Sequence, residues 1–438
     1  MSDPRGVMTA LPAARAPSLP LPIRAANRAA RWARAIGIEP VRLDEESLIR
    51  DATRATGQDD LGPEPFLAPM RRVLHSLESE AQLTWLGRTI ARGELLRVLR
   101  NRLGLVAARR AHPEIAQVEV HQPLVVVGLP RTGSTILHDI LARDPAHRAP
   151  LTWECNEPCP PPETSTFESD PRIAPCDAEL AGVDRLIPGF KSMHPMGARL
   201  AQECVVLMQQ TMCSVLFHNE YRVPGYQDWL DDPAFDWGPV YAFHRQELQH
   251  LQWRCPRERW VLKTGAHMWS LDSLLATYPN ACVVQTHRDP VKVATSYASL
   301  TTLVRAMSSD RVDPCEVAAD WTPRLARALE RAIDVRDSGR FPAERFHDVH
   351  FPALLADPLE VVEGIYRHFG LELTGVAADR MRRFVDENPQ GKHGAHRYAP
   401  AEYGLDVGAE RERFARYTER FGIEPEPEGP MAGRVRDL

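Results

Sequence analysis

The chain has 438 residues, 43% apolar and 26% charged, a balance that excludes a largely disordered or fibrous protein and allows one large domain with extensions, or two domains. No stretch approaches the ~18 consecutive apolar residues needed to cross a bilayer, so no transmembrane segment is expected. With 53 basic against 59 acidic residues the net charge is −6, which offers no global field for nucleic acid; an anionic ligand has to be held by a local cluster.

Residues 1–39 are an Ala/Pro/Arg-rich lead-in with Asp3 as the only acid in the first 35. A transit peptide has similar composition, but a frayed basic lead-in is the preferred reading. Residues 40–119 read as a helical preface, broken at Gly62-Pro63-Glu64-Pro65. In it Leu83, Leu86, Ile90, Leu95, Val98 and Leu99 recur at near-helical intervals, with Gly87 and Gly93 as weak points for one continuous helix. From about 120 to 425 the texture is that of an α/β domain, followed by a tail over 426–438. The β-branched run Leu124–Val127 ends at Gly128 and leads through a turn into Ile136, Leu137, Ile140 and Leu141 at helical spacing, stopped by Asp144-Pro145. Residues 155–260 read as a mainly helical covering insertion, with a helix expected over Ala198–Phe217 and then an aromatic segment containing Tyr226, Trp229 and Trp237. Two further strand runs, Trp260–Leu262 and Ala281–Thr286, end at Lys263-Thr264 and at His287-Arg288-Asp289-Pro290. Repeated strand-then-helix order predicts a P-loop-type parallel sheet flanked by helices, with ligand sites at the carboxyl ends of the strands.

The eight cysteines are scattered, and no long apolar segment opens the chain; both features read as a reduced, cytoplasmic protein. Cys155 and Cys159 are the only close pair, and His347/His350 and His393/His396 lack a matching acidic set, so no metal site is expected. A Gly-x-Ser-x-Gly nucleophile elbow is absent, which disfavours an α/β-hydrolase.

Gly128-x4-Gly133-Ser134-Thr135 has the spacing of a phosphate-cradling loop, but Ser134 stands where its lysine belongs and the nearby cation is Arg131. A nucleoside triphosphatase needs that lysine and Mg²⁺ on its phosphates. A sulfuryl group carries less negative charge, so backbone donors and one cation suffice without metal. Through Pro130 to Thr135 the sequence resembles the sulfotransferase family that uses 3′-phosphoadenosine 5′-phosphosulfate as co-substrate. The resemblance implies that Arg131, Thr132, Gly133, Ser134 and Thr135 bind the 5′-phosphosulfate. It also implies that Arg288 at a strand end and Ser296, eight residues on, bind the 3′-phosphate. An arginine fork and a helix hydroxyl suit that anion on chemical grounds as well. Phe351, in His350-Phe351-Pro352-Ala353-Leu354-Leu355, takes the place of a family tyrosine near the adenine, and Lys392, in Asn388-Pro389-Gln390-Gly391-Lys392, matches the late basic loop over the 3′-phosphate.

Transfer to a hydroxyl needs a base near the acceptor oxygen and cations on the leaving phosphate. By resemblance Lys263 stabilises the bridging oxygen, and Arg131 assists. Two candidates compete for the base. Glu154, 23 residues after Arg131, sits where the carbohydrate and tyrosine-sulfating branches place a catalytic glutamate and is preferred on loop type. His267, in Lys263-Thr264-Gly265-Ala266-His267, has an imidazole suited to neutral pH, although Gly265 replaces the family's usual proline. His194, Met196 and Glu203 in the insertion are candidates to face the acceptor, which is expected to be a small-molecule, lipid or carbohydrate hydroxyl. Two other readings stay open: a P-loop ATP-dependent kinase or hydrolase, and a nucleotide-binding module without catalysis.

Overall fold

The computed structural model describes residues 19–62, 65–186, 196–388 and 399–426. Its sheet has strands β1 (Leu124–Val127), β2 (His147–Arg148), β3 (Arg259–Lys263), β4 (Cys282–His287) and β5 (Phe346–His350) in the spatial order β2-β3-β1-β4-β5. All neighbours are parallel. The centre strand β1 is Leu-Val-Val-Val and fully buried, as a strand covered by helices on both faces must be. Val125 pairs with Leu262 on one side and Val283 on the other. That register brings the carboxyl ends of β1, β3 and β4 to one edge, where Gly128, Thr264 and Arg288 follow the last strand residues.

Strand alternation splits the core. Val125, Val127, Leu262 and Val283 face a large apolar cluster, whereas Leu124, Val126, Val261 and Val284 face a smaller one with Leu137, Ile140 and Ile365. Leu48, Met70, Leu95 and Leu99 of the preface belong to the large cluster. The preface is therefore continuous with the sheet's own core.

α1 (Leu21–Ala35) packs on α2 (Trp85–Ala111), which with α3 (Ser134–Leu141), α4 (Cys204–Met208) and α5 (Pro290–Ser308) frames the site. Residues 21–35 of the lead-in are thus helical where fraying was expected. α2 runs unbroken through both glycines, capped by Thr84 Oγ1, which accepts the Gly87 N–H at 3.1 Å. Gly87 is there for contact: a Cβ on it would lie 2.0 Å from the Ser308 carbonyl oxygen, so only glycine lets α2 cross the end of α5. The helix expected over Ala198–Phe217 is instead α4, one 3₁₀ turn and a short helix at Leu216–Glu220. Met212 breaks it with φ of 56°. Tyr226 holds that break, its hydroxyl donating to the Met212 carbonyl at 2.9 Å and accepting the Ser214 N–H at 2.8 Å.

Candidate active site

The loop after β1 is shaped by close backbone approach. A Cβ on Gly128, whose φ is +135°, would meet Thr286 Oγ1 at 2.3 Å, and one on Gly133, at φ +85°, would meet Leu354 Cδ2 at 2.6 Å. Thr132 turns inward; its Oγ1 donates to the Leu129 carbonyl at 2.7 Å and lies 2.6 Å from Thr286 Oγ1. It sets the loop's shape, while Arg131, Gly133, Ser134 and Thr135 line the cavity. The first turn of α3 points its N–H groups at the same space, a favourable place for an anion.

Arg131 has a left-handed backbone, φ 68°, which aims its carbonyl at Arg288. That oxygen accepts from Arg288 Nη1 at 2.8 Å, and Arg131 Nε donates to Ser296 Oγ at 3.3 Å. The Arg288 guanidinium lies 4.1 Å from the centre of the Phe351 ring. Arg131, Arg288, Ser296 and Phe351 therefore meet in one place although 220 positions separate the first from the last. One contact was not legible beforehand. Glu426 grips Arg288 in a two-pronged ion pair, Nε to Oε1 at 2.7 Å and Nη2 to Oε2 at 3.0 Å. The Glu426 main-chain N–H is held separately, by Asp289 Oδ2 at 2.8 Å.

At the end of β3, Lys263 Nζ donates to Glu203 Oε1 at 2.6 Å and to Thr135 Oγ1 at 3.2 Å. Glu203 precedes α4, yet its side chain does not cap that helix; it reaches across to the lysine. Lys263 is 3% exposed and Glu203 27%, so the lysine sits behind the wall and the carboxylate on it. The cavity, about 640 Å³, continues from Thr135 and Glu203 into an apolar chamber. Its walls include Ile90 and Val98 from α2, Val206, Trp269, and Leu300, Val304 and Met307 from α5. A polar patch interrupts them. Glu94 accepts from the Tyr221 hydroxyl at 2.7 Å and from the Gln209 amide. Burial and the Glu94 carboxylate against it push the Glu220 carboxyl well above its ordinary range.

Comparison with known proteins decides the family. Residues 123–375 match the family model described as "Sulfotransferase family", more than half of the chain. The chain belongs to the sulfotransferase family. A solved sulfotransferase of Mycobacterium tuberculosis H37Rv is 36% identical, with TM-score 0.76 over 85% of this chain and 98% of its own. A sulfotransferase of Mycobacterium avium superposes with TM-score 0.81 at 27% identity, covering 89% of this chain and 99% of its own. Among curated proteins, the omega-hydroxy-beta-dihydromenaquinone-9 sulfotransferase of Mycobacterium bovis is 25% identical over 320 residues, 70% of this chain and 77% of the relative. The sulfotransferase moves a sulfuryl group to a hydroxyl, and its family implies 3′-phosphoadenosine 5′-phosphosulfate as co-substrate.

The two residues expected to compete as base lie elsewhere in this sulfotransferase. Glu154 is fully buried, its Oε1 2.6 Å from Arg148 Nη2, and its Oε2 accepts the Leu151 N–H at 3.0 Å. It ties β2 to the following turn, and its neighbours Cys155 and Asn156 line the cavity in its place. His267 is likewise buried; its Nδ1 lies 2.8 Å from the Tyr241 hydroxyl, and Nε2 has no partner among the described residues. Burial, with His244 beside it, holds His267 well below the usual histidine range. Neither residue is on the cavity wall. Gly265 is on it, and a Cβ there would approach the Gly128 carbonyl oxygen at 2.7 Å, which explains glycine where the family usually has proline. Lys392, His194 and the pair His393/His396 fall outside the described residues. Among the described residues no three His, Cys, Asp or Glu side chains cluster as a metal site would require, and no helix is long and apolar enough to cross a membrane.

Proposed function

We propose that this sulfotransferase acts on the hydroxyl of an elongated apolar lipid, with Glu203 as the general base. The Lys263–Glu203–Thr135 constellation at the junction of loop and chamber carries the reading. Donor phosphosulfate lies against Arg131, Ser134, Thr135 and the first N–H groups of α3; the 3′-phosphate goes to Arg288 and Ser296, assisted by Lys392, and the adenine stacks on Phe351. Donor entry opens the Lys263–Glu203 pair. Lys263 then faces the oxygen that bridges sulfur and phosphorus, and Glu203 takes the proton of the acceptor hydroxyl as that oxygen bonds to sulfur. The bridging S–O bond breaks, and Lys263 with Arg131 holds the negative charge left on the phosphate. The apolar walls from α2 and α5 support a lipid chain, and the relative named for a hydroxylated menaquinone acts on a molecule of that kind.

The test is transfer of labelled sulfate from the donor to a panel of long-chain alcohols, hydroxylated polyprenyl compounds, sugars and phenols. Turnover confined to the long apolar alcohols supports the reading; turnover on sugars alone refutes the acceptor class. A Glu203→Gln variant with full turnover refutes the base.

A further inference from the structure

The outer face of α1 has no role in the reaction. Among the described residues six large apolar side chains are conspicuously exposed, and four of them, Leu21, Trp32, Ile36 and Ile38, lie on or just after this helix. Trp32 and Ile36 are each 75% exposed, unusual for side chains of that size. Leu21, Ala25, Arg28, Trp32 and Ile36 recur every three or four residues, so they share one stripe, flanked by Arg24 and Arg31. Between Asp3 and Glu39 the chain has six arginines and no acid. Among the described residues Arg24 and Arg28 form no ion pair.

The opposite face is fixed. Asn27 Oδ1 accepts the Leu86 N–H at 3.1 Å, Arg34 Nη1 donates to the Leu83 carbonyl at 3.0 Å, and Arg31 pairs with Asp310 at 2.6 Å. Those anchor points run directly into α2 and out of α5, the helices that wall the apolar chamber. A rigidly mounted helix with arginines beside Trp, Ile and Leu is built to lie in the headgroup plane of a bilayer, the rings and alkyl groups dipping in while the guanidinium groups meet lipid phosphates.

We propose that α1 is an interfacial docking surface for an anionic lipid bilayer, holding the enzyme at the membrane with its chamber close to the surface. The charge sign selects anionic lipid, and the proposal is independent of which acceptor fills the cavity.

The experiment is co-sedimentation of the full chain with phosphatidylcholine vesicles, with and without phosphatidylglycerol. The chain is expected to bind the anionic vesicles at least about tenfold more tightly than the neutral ones, and salt should weaken the binding. Trp32→Ser/Ile36→Ser should lower partitioning about tenfold or more, and Arg24→Gln/Arg28→Gln should remove the preference for anionic lipid. Both pairs are exposed and far from the donor loop, so binding of adenosine 3′,5′-bisphosphate by calorimetry should match the wild type and certify the fold. No binding of the wild type to anionic vesicles overturns the proposal, as does unchanged partitioning in both double variants. A wild-type dimer that Trp32→Ser/Ile36→Ser converts to monomer overturns it in favour of a second copy of this chain.

Discussion

Replacing Glu426 by glutamine is expected to tighten binding of adenosine 3′,5′-bisphosphate. Glu426 engages two of the three Arg288 nitrogens, and the third is committed to the Arg131 carbonyl. A 3′-phosphate can be gripped by that fork only by displacing the carboxylate, because two anions side by side repel. Charge-assisted hydrogen bonds contribute about 1.5–3 kcal/mol when buried. With side chains 21% and 12% exposed, solvent reduces the net hold to about 1–1.5 kcal/mol. Glutamine keeps the shape and loses the charge, so the opening cost largely disappears and affinity rises about five- to tenfold. The Glu426 N–H to Asp289 contact is main chain and survives the change, which keeps the segment in place. Calorimetry on wild type and Glu426→Gln, with adenosine 5′-monophosphate as control, reads the effect. The monophosphate lacks the group that competes and should bind both proteins equally. Weaker bisphosphate binding in Glu426→Gln would mean that the carboxylate positions Arg288 for the ligand, and an equal gain for the monophosphate would place the effect outside the 3′-phosphate site; either refutes the displacement argument.

Glu203→Gln should cut turnover about 10²- to 10⁴-fold with bisphosphate affinity nearly unchanged, measured by sulfate transfer and calorimetry. Glu154→Ala should act on the fold instead, costing about 3–5 kcal/mol in denaturant unfolding because it strands buried Arg148 without its partner; intact stability with lost turnover would return Glu154 to the reaction. Gly265→Ala should lower bisphosphate affinity severalfold, since its Cβ forces the loop away from the Gly128 carbonyl; unchanged affinity would show that the loops tolerate separation. Burial lowers His138 and His250 to about 4 and His244 to about 3 from 6.5. These groups are neutral in the fold and protonate when it opens, so their contribution is complete above about pH 6.5 and is lost as pH falls toward about 4. Melting temperature should drop from about pH 7 to about pH 5, and a flat profile there would refute the assignment.

The strands that sequence patterning finds are those that contain an unbroken apolar run. β1, β3 and β4 are buried on both faces and read as hydrophobic runs. β5, Phe-His-Asp-Val-His, does not, because its polar residues are paid for at long range: Asp348 pairs with Arg336 and with His287. β2 is two residues long and has no pattern to detect. The site divides in the same way. Arg131, Lys263 and Arg288 are legible because each follows a strand end inside a local motif. The role proposed for Glu203 is not, since its partner is 60 positions away and the residue falls inside the helix expected over Ala198–Phe217. Glu154 illustrates the converse: its spacing matches a catalytic pattern, but an arginine six positions earlier takes its carboxylate into the interior.

The paired cations of the site also explain how a chain of net charge −6 keeps three basic groups together in one cleft. Like charges converging in a partly buried cleft would destabilise the fold. Here Lys263 is neutralised by Glu203 and Arg288 by Glu426, and both carboxylates come from segments outside the sheet. With the donor seated as proposed, binding would exchange anions with little net addition of charge: the 3′-phosphate would replace Glu426, and the phosphosulfate would draw Lys263 from Glu203. The second exchange has a chemical consequence. In the proposed reaction, drawing Lys263 away turns the Glu203 carboxylate to the acceptor hydroxyl only once there is a sulfuryl group to transfer. A base masked by its own lysine until the donor is in place couples proton removal to donor occupancy, and it predicts that acceptor alone leaves the Lys263–Glu203 pair closed.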